Sequence, residues 1–354
     1  MRKHIYTLLS LLVAAFLIVV ILVLTAPAPN KQPNGFKRDY LQPSALSTIT
    51  KIPTGNNILD IIGADDSLFY FSITGNPSMV IASTLKADAG IDTLRLPVPA
   101  SISDSVSEYF FSQRCNDRFI VFGYNIPSIY SMHLSDTSRH TYAVFSRGGF
   151  SQGYALRDGK HFVLRKLHIE QKDQLFIRVN LDNDSILTEN SLSELHRDGG
   201  MSTDGSLTYD RSTGLFTYIY YYSNRFFTFD STLQRVNNGH TIDTFATSRF
   251  TLATNKDESG QVYMNAGPDM MVNGFSCADN GILYVQAKLK ADNDEDALFG
   301  AHTVIDLYEI SSGKYIGSYY LNIPARTRIN QLFVQRDKLI VHSADHIFAI
   351  QLPD

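Results

Sequence analysis

Two hydrophobic patterns divide the chain. Residues Ile5 to Leu24 read IYTLLSLLVAAFLIVVILVL, an apolar run without a charge, Gly or Pro, in which only Tyr6, Thr7 and Ser10 carry polar atoms. At about 1.5 Å rise per residue, roughly 20 such residues match a hydrocarbon core about 30 Å thick, so the run predicts a transmembrane helix. Arg2, Lys3 and His4 precede it, and the neutral, Pro-rich TAPAPN follows. Positive flanks stay in the cytoplasm. The pattern therefore predicts a single-pass inner-membrane protein, with a cytoplasmic tail over residues 1–4, a signal anchor over 5–24 and the rest in the periplasm. The candidate cleavage site, Ala26-Pro27-Ala28, is followed by Pro29, whose ring distorts the extended backbone that cleavage needs, so the anchor is expected to remain. A cleaved signal would leave the same domain free in the same compartment. Residues 25–44 lack periodicity and read as a polar, Pro-containing linker.

From Ala45 the period changes to two, as in Phe216, Tyr218 and Tyr220 against Thr217, Ile219 and Tyr221. Short apolar strands alternate with polar turns, and a four-strand unit can be read six times between Ile61 and Pro353. The turns Asp65-Asp66, Asn116-Asp117, Asp158-Gly159, Thr213-Gly214, Asn280-Gly281 and Arg336-Asp337 mark the units; Asp-Gly and Asn-Gly suit hairpins that need positive φ. Successive marks lie roughly 45–65 residues apart, the spacing of propeller blades. No segment after Leu24 shows a long helical stripe, the nearest being Asp104 to Phe111. The sixth unit lacks an outer strand, while Ala45 to Pro53 (ALSTITKIP) is a spare strand at the start. Pairing the two would close a ring and remove an open edge. The predicted fold is all-β, a six-bladed β-propeller over residues 45–354 preceded by the transmembrane helix.

This repeat resembles the six-bladed β-propellers of the TolB-like and NHL-like type. The resemblance is architectural and covers residues 45–354. No WD dipeptide, kelch Gly-Gly signature or YWTD motif is present, so no functional residue carries over. The resemblance implies a fold shared by hydrolases, lactonases, quinoprotein dehydrogenases and many binding scaffolds, and fold does not choose among them.

Composition narrows the partners. Phe (22) and Tyr (19) are abundant and Trp is absent, a bias toward half-buried strands. The net charge of −4 is interspersed rather than gathered, so there is no basic field to hold nucleic acid. Two isolated cysteines, Cys115 and Cys277, make neither a redox motif nor a zinc site. They fall in the second and fifth of six units, on opposite sides of a ring. A disulfide needs Cα atoms within about 7 Å, so two free thiols are expected.

Candidate chemistry lies in the crossovers between units, which cluster on one face of a propeller. Two are alike: Ser146-Arg147-Gly148-Gly149-Phe150-Ser151 and Arg197-Asp198-Gly199-Gly200-Met201-Ser202. Arg249, Arg326 and Arg328 fall in later crossovers. Gly-Gly exposes backbone N–H groups and guanidinium groups offer forked donors, so these residues could rim a site for a small anion or acidic peptide. The alternative is structural: a tight turn, with each Arg bonded to nearby carbonyls. Asp292, Asp294, Glu295 and Asp296 have calcium-like spacing but lack the turn Gly and the distal Glu, and read as a solvated loop tip. The ten His residues are scattered without metal spacing. No GxSxG elbow, HExxH helix or phosphate loop is visible, and neither a metal nor a cofactor is expected. The sequence thus predicts a membrane-anchored binding or scaffolding propeller for a peptide, glycan or protein partner. The alternative is an extracytoplasmic hydrolase or lyase with its site in the channel.

Overall fold

Each unit read from the sequence folds into an antiparallel four-stranded sheet, the architecture of a six-bladed β-propeller. The computed structural model describes residues 2–25, 33–54, 58–65, 67–85, 92–106, 109–145, 149–181, 185–190, 192–248, 252–257, 260–265 and 270–353. Two units are present, Met1–Asn34 and Gly35–Asp354. In the first, Arg2–Thr25 is helical. Among the described residues no helix is long and apolar enough to cross a membrane; the run Ile5–Leu24 extends beyond the described side chains at both ends.

In the second unit the six inner strands are Ile58–Ala64, Phe110–Cys115, Phe150–Ala155, Gly205–Asp210, Asn273–Asp279 and Ile329–Gln335. They neighbour one another in that order, and the sixth meets the first. The ring is closed as the spare strand foretold. Thr48–Pro53 pairs antiparallel with His346–Gln351, from Thr48 opposite Ile350 to Pro53 opposite His346, and forms the outer strand of blade six. The turn marks behave as their residue types dictate: Asn116, Gly159, Gly214, Asn280, Gly281 and Arg336 all have positive φ, between 49° and 79°.

Three elements depart from the sequence reading. The stretch near Asp104 is a short helix, Ala100–Val106, which ends before the inner strand at Phe110. A second short helix spans Asp296–Ala301. An unforeseen hairpin, Leu252–Asp257 with Gly260–Asn265, forms its own two-stranded sheet between blades four and five.

Because every blade lies between two others, period-two alternation buries both faces of a strand. Phe216, Tyr218 and Tyr220 join the blade-three/four core, while Ile219 points the opposite way into the four/five core with Tyr308 and Leu283. Each of the six blade interfaces has its own cluster of this kind. Burying one such Phe or Leu is worth roughly 1.5–3 kcal/mol.

Residues 35–44, read in the sequence as part of the linker, pack against blade five. Arg38 is buried and donates through Nε to Asp306 (2.8 Å), through Nη1 to Asp294 (2.7 Å) and through Nη2 to the Leu289 carbonyl (3.0 Å). Tyr40 stacks on Tyr320 at 4.3 Å between ring centroids and donates its hydroxyl to Asp294. The backbone then runs along the outer strand Tyr315–Leu321, with Leu41 N–H bonded to Ser318 O and Leu46 N–H to Tyr320 O. The acidic loop is therefore not a solvated tip throughout. Asp294 is buried as the receptor for Arg38, because two carboxylates offset the guanidinium charge that water no longer solvates.

Candidate functional site

The crossover predicted as an anion rim is held together internally. Asp198 is buried, and its carboxylate accepts the N–H groups of Gly200, Met201 and Ser202 at 3.0–3.1 Å. The Gly199 N–H donates to the Lys172 carbonyl, and the backbone N–H of Arg197 to Asp173. Gly199 and Gly200 have φ of 77° and 78°, so the pair serves the tight turn. The fully buried Arg165 fixes the loop by donating to the carbonyls of Gly200 and Thr203 and to the Asp204 carboxylate. These N–H groups are thus engaged by the protein, leaving the exposed Arg197 side chain as the group directed to solvent. Arg326 and Arg328 are likewise exposed, in the crossover from blade five to six. The Gly149 carbonyl accepts the Leu167 N–H. Arg147, Gly148 and Arg249 lie outside the described residues. Among the described residues no hydrogen bond joins these loops to one another.

A different site is built by the inner strands. They enclose a central cavity of about 790 Å³ to which all six blades contribute. The second or third residue of each inner strand lines it: Asp60, Phe111, Gln152, Ser206, Phe275 and Asn330. Four of these strands begin with a register shift, those at Ile58, Phe150, Asn273 and Ile329. Such bulges re-aim side chains near a strand start. Tyr124 and Tyr221 follow the second strands of blades two and four and close the crossover side of the cavity, with Tyr109 62% exposed at its mouth.

The wall is stitched by side-chain amides. Gln113, Gln152 and Gln331 each donate Nε2 to a backbone carbonyl of the next inner strand and accept a backbone N–H from it through Oε1. Their partners are Gly153 and Ala155, Gly205 and Leu207, and Ile61 alone. Blades four and five use hydroxyls instead, Ser206 and Ser276 at 2.9 Å. These residues are occupied as structural links, which leaves a short set of unengaged polar groups facing the space.

Asp60 is the principal one. No hydrogen bond or ion pair reaches its carboxylate among the described residues, and burial among aromatic rings pushes its pKa up to about 6. Burial also raises Tyr124, and pushes Tyr154 up to about 12, the Asp60 charge adding to both. At the hairpin end, Arg211 reaches from blade four to donate Nη2 to the Arg114 carbonyl of blade two. Asp279 sits there with its pKa raised to about 6 by burial and by Asp210. Cys277 lines the cavity as a buried thiol held well above its usual pKa by burial, which makes it a poor nucleophile. Among the described residues no group of three or more His, Cys, Asp or Glu could hold a metal ion.

Sequence motifs missed this site because its residues come in short runs from six separate blades. The signal was positional: aligning the starts of the six inner strands picks out Asp60 and Asn330 beside the aromatic and Gln positions.

Fold and cavity together define a six-bladed β-propeller with an aromatic-walled central channel. No family model and no curated protein matches the chain. Among solved structures it is similar to a member of the duf4221 family from Bacteroides vulgatus, at 12% identity and a TM-score of 0.54, over 89% of this chain and 98% of that one. It also aligns with virginiamycin B lyase from Staphylococcus aureus (10% identity, TM-score 0.48, 86% and 99% covered) and with BamB from Moraxella catarrhalis (13%, 0.42, 90% and 94%). At such identities the likeness is one of fold.

Proposed function

We propose that the protein is a ligand-binding propeller, held to a membrane by its N-terminal helix, which takes a peptide, glycan or segment of a partner protein into its channel on the periplasmic side. The cavity carries this reading. Its volume of about 790 Å³ suits a small ligand or a few residues of a chain, its crossover mouth is aromatic, and its wall mixes apolar and polar side chains. The charged groups on its wall, Asp60, Arg211 and Asp279, share no hydrogen bond with one another among the described residues, an arrangement that favours recognition over acid–base chemistry. The membrane and periplasmic parts of the proposal rest on the apolar run Ile5–Leu24 and its positive N-terminal flank.

Two experiments test it. Ligand-observed NMR with a library of tripeptides and disaccharides should give binders to the full-length protein that are lost in Asn330→Trp, which plugs the crossover mouth without removing an inner-strand link. A library with no binder, or binders indifferent to the plug, would refute the channel site. A periplasm-active reporter fused after Asp354 should be active and stay in the membrane fraction after a salt wash. Activity of a cytoplasmic reporter instead would refute the orientation.

A further inference from the structure

We infer that the channel recognises a cationic group, an ammonium or guanidinium carried on an apolar stem, with Asp60 as its counter-ion and the ring of Tyr109, Phe111, Tyr124, Tyr221 and Phe275 as its wall. This deepens the proposed binding function and rests on it.

The inference comes from what each ligand charge would meet. Asp60 projects from the third position of the blade-one inner strand, where the shifted pairing between Ile58 and Ile61 frees its side chain from the regular ladder. Its backbone is fixed on both sides: its N–H donates to the Ser72 hydroxyl, and its carbonyl accepts from that same hydroxyl. The backbone position is therefore set, while the carboxylate has no hydrogen-bond or ion-pair partner among the described residues. A carboxylate left in that state, in a wall of rings, is one the fold does not need for its own hydrogen bonding, and replacing it would relieve the native structure. Aromatic faces carry negative potential. They repel an anion beside Asp60, leave a neutral ligand to bury the carboxylate uncompensated, and attract a cation together with it. Two tyrosines interact electrostatically with Asp60, Tyr124 of blade two and Tyr154 of blade three; both stay protonated, and the Tyr124 hydroxyl donates to the Ser151 carbonyl rather than to Asp60. Among the described residues of the cavity wall the positive side chain is Arg211, which is at the hairpin end and engaged with the Arg114 carbonyl, so no wall cation there is paired with Asp60. An inorganic ion is too small for the space, while a methylene stem fills it against Phe111, Phe275 and the tyrosines.

Both a free alkylamine and the side chain of a lysine within a peptide carry this chemistry. Titration calorimetry on the full-length protein should use N-acetyl-lysine amide, its neutral isostere N-acetyl-norleucine amide, and n-pentylamine. The lysine derivative should bind at least tenfold more tightly than the norleucine one. Asp60→Asn should erase that preference, whereas Asp60→Glu, which keeps the charge, should retain most of it. Pentylamine matching the lysine derivative identifies a free amine as the ligand class; binding by the lysine derivative alone identifies a peptide side chain. Equal affinity for the lysine and norleucine amides, or a preference that survives Asp60→Asn, would overturn the cation site while leaving a channel ligand in place. No binding by any of the three would also overturn it, and the tripeptide and disaccharide screen against Asn330→Trp then decides separately whether the channel binds at all.

Discussion

Asp60 and His342 are both placed where the fold disfavours their charged forms, and they tilt stability with pH in opposite senses. Asp60 has a folded pKa of about 6 against an ordinary carboxylate value near 4. A raised carboxylate pKa means the folded state binds the proton more tightly, so stability is greatest at low pH and is lost as pH rises through about 6. Asp60→Asn should therefore raise the melting temperature at pH 8, by the equivalent of about 1–3 kcal/mol, and leave it nearly unchanged at pH 4. A variant less stable than the parent at pH 8 would mean that the carboxylate is structural. His342 is buried, its Nδ1 lacks a hydrogen-bond partner among the described residues, and burial pushes its pKa down to about 4. The unfolded chain takes up that proton more readily, so this contribution is lost as pH falls from about 6.5 through 4. His342→Leu should flatten the acid limb of a melting-temperature profile. Neither role was legible beforehand. An Asp in the run LDIIG and a His in LIVHSA look like an interrupted strand, and only the ring of neighbours decides what each side chain meets.

At the scale of elements, the alternation of apolar positions was enough to place the blades, because the middle strands of each blade are buried on both faces and their residue types say so. The spare strand was legible for the same reason in reverse: one unit lacked a partner that another segment could supply. Deleting residues 45–53 should leave His346–Gln351 as an open edge and cause aggregation or proteolysis, read by sedimentation and limited digestion; a deletion form as heat-resistant as the parent would show that the pairing is dispensable. The hairpin Leu252–Asp257 with Gly260–Asn265 went unseen, since TNKDESGQ offers no large apolar alternation. The docking of residues 35–46 was also hidden. Its apolar residues are sparse, and its key partner, Asp294, lies 256 positions from Arg38. The acidic loop read as a solvated tip, and nothing in its spacing said that Asp294 would hold a guanidinium of the same chain. Arg38→Met should strand Asp294 and Asp306 without their counter-charge and cost about 3–5 kcal/mol, measurable as a lower urea midpoint with an unchanged slope.

For the whole molecule, the six-unit count made a claim about two residues far apart, and the geometry agrees with it. Cys115 is buried in the core between blades two and three, and Cys277 in that between blades five and six, both as free thiols. Alkylation should label neither thiol in the native protein and both in denaturant without reductant; a Cys115–Cys277 bridge found by mass mapping would break the ring assignment. The closure strand carries a further consequence, for the order in which the chain becomes structured. Thr48 meets Ile350, so nearly the whole domain must be synthesised before blade six is complete. Joining ends so distant in sequence is entropically slow, and contacts of that separation form late. Blades one to five can assemble as they emerge, but the ring locks only when His346–Gln351 arrives. Until then Thr48–Pro53 is a β-strand without a template. A pause in synthesis before His346–Gln351 would therefore hold an intermediate with an open, adhesive sheet edge.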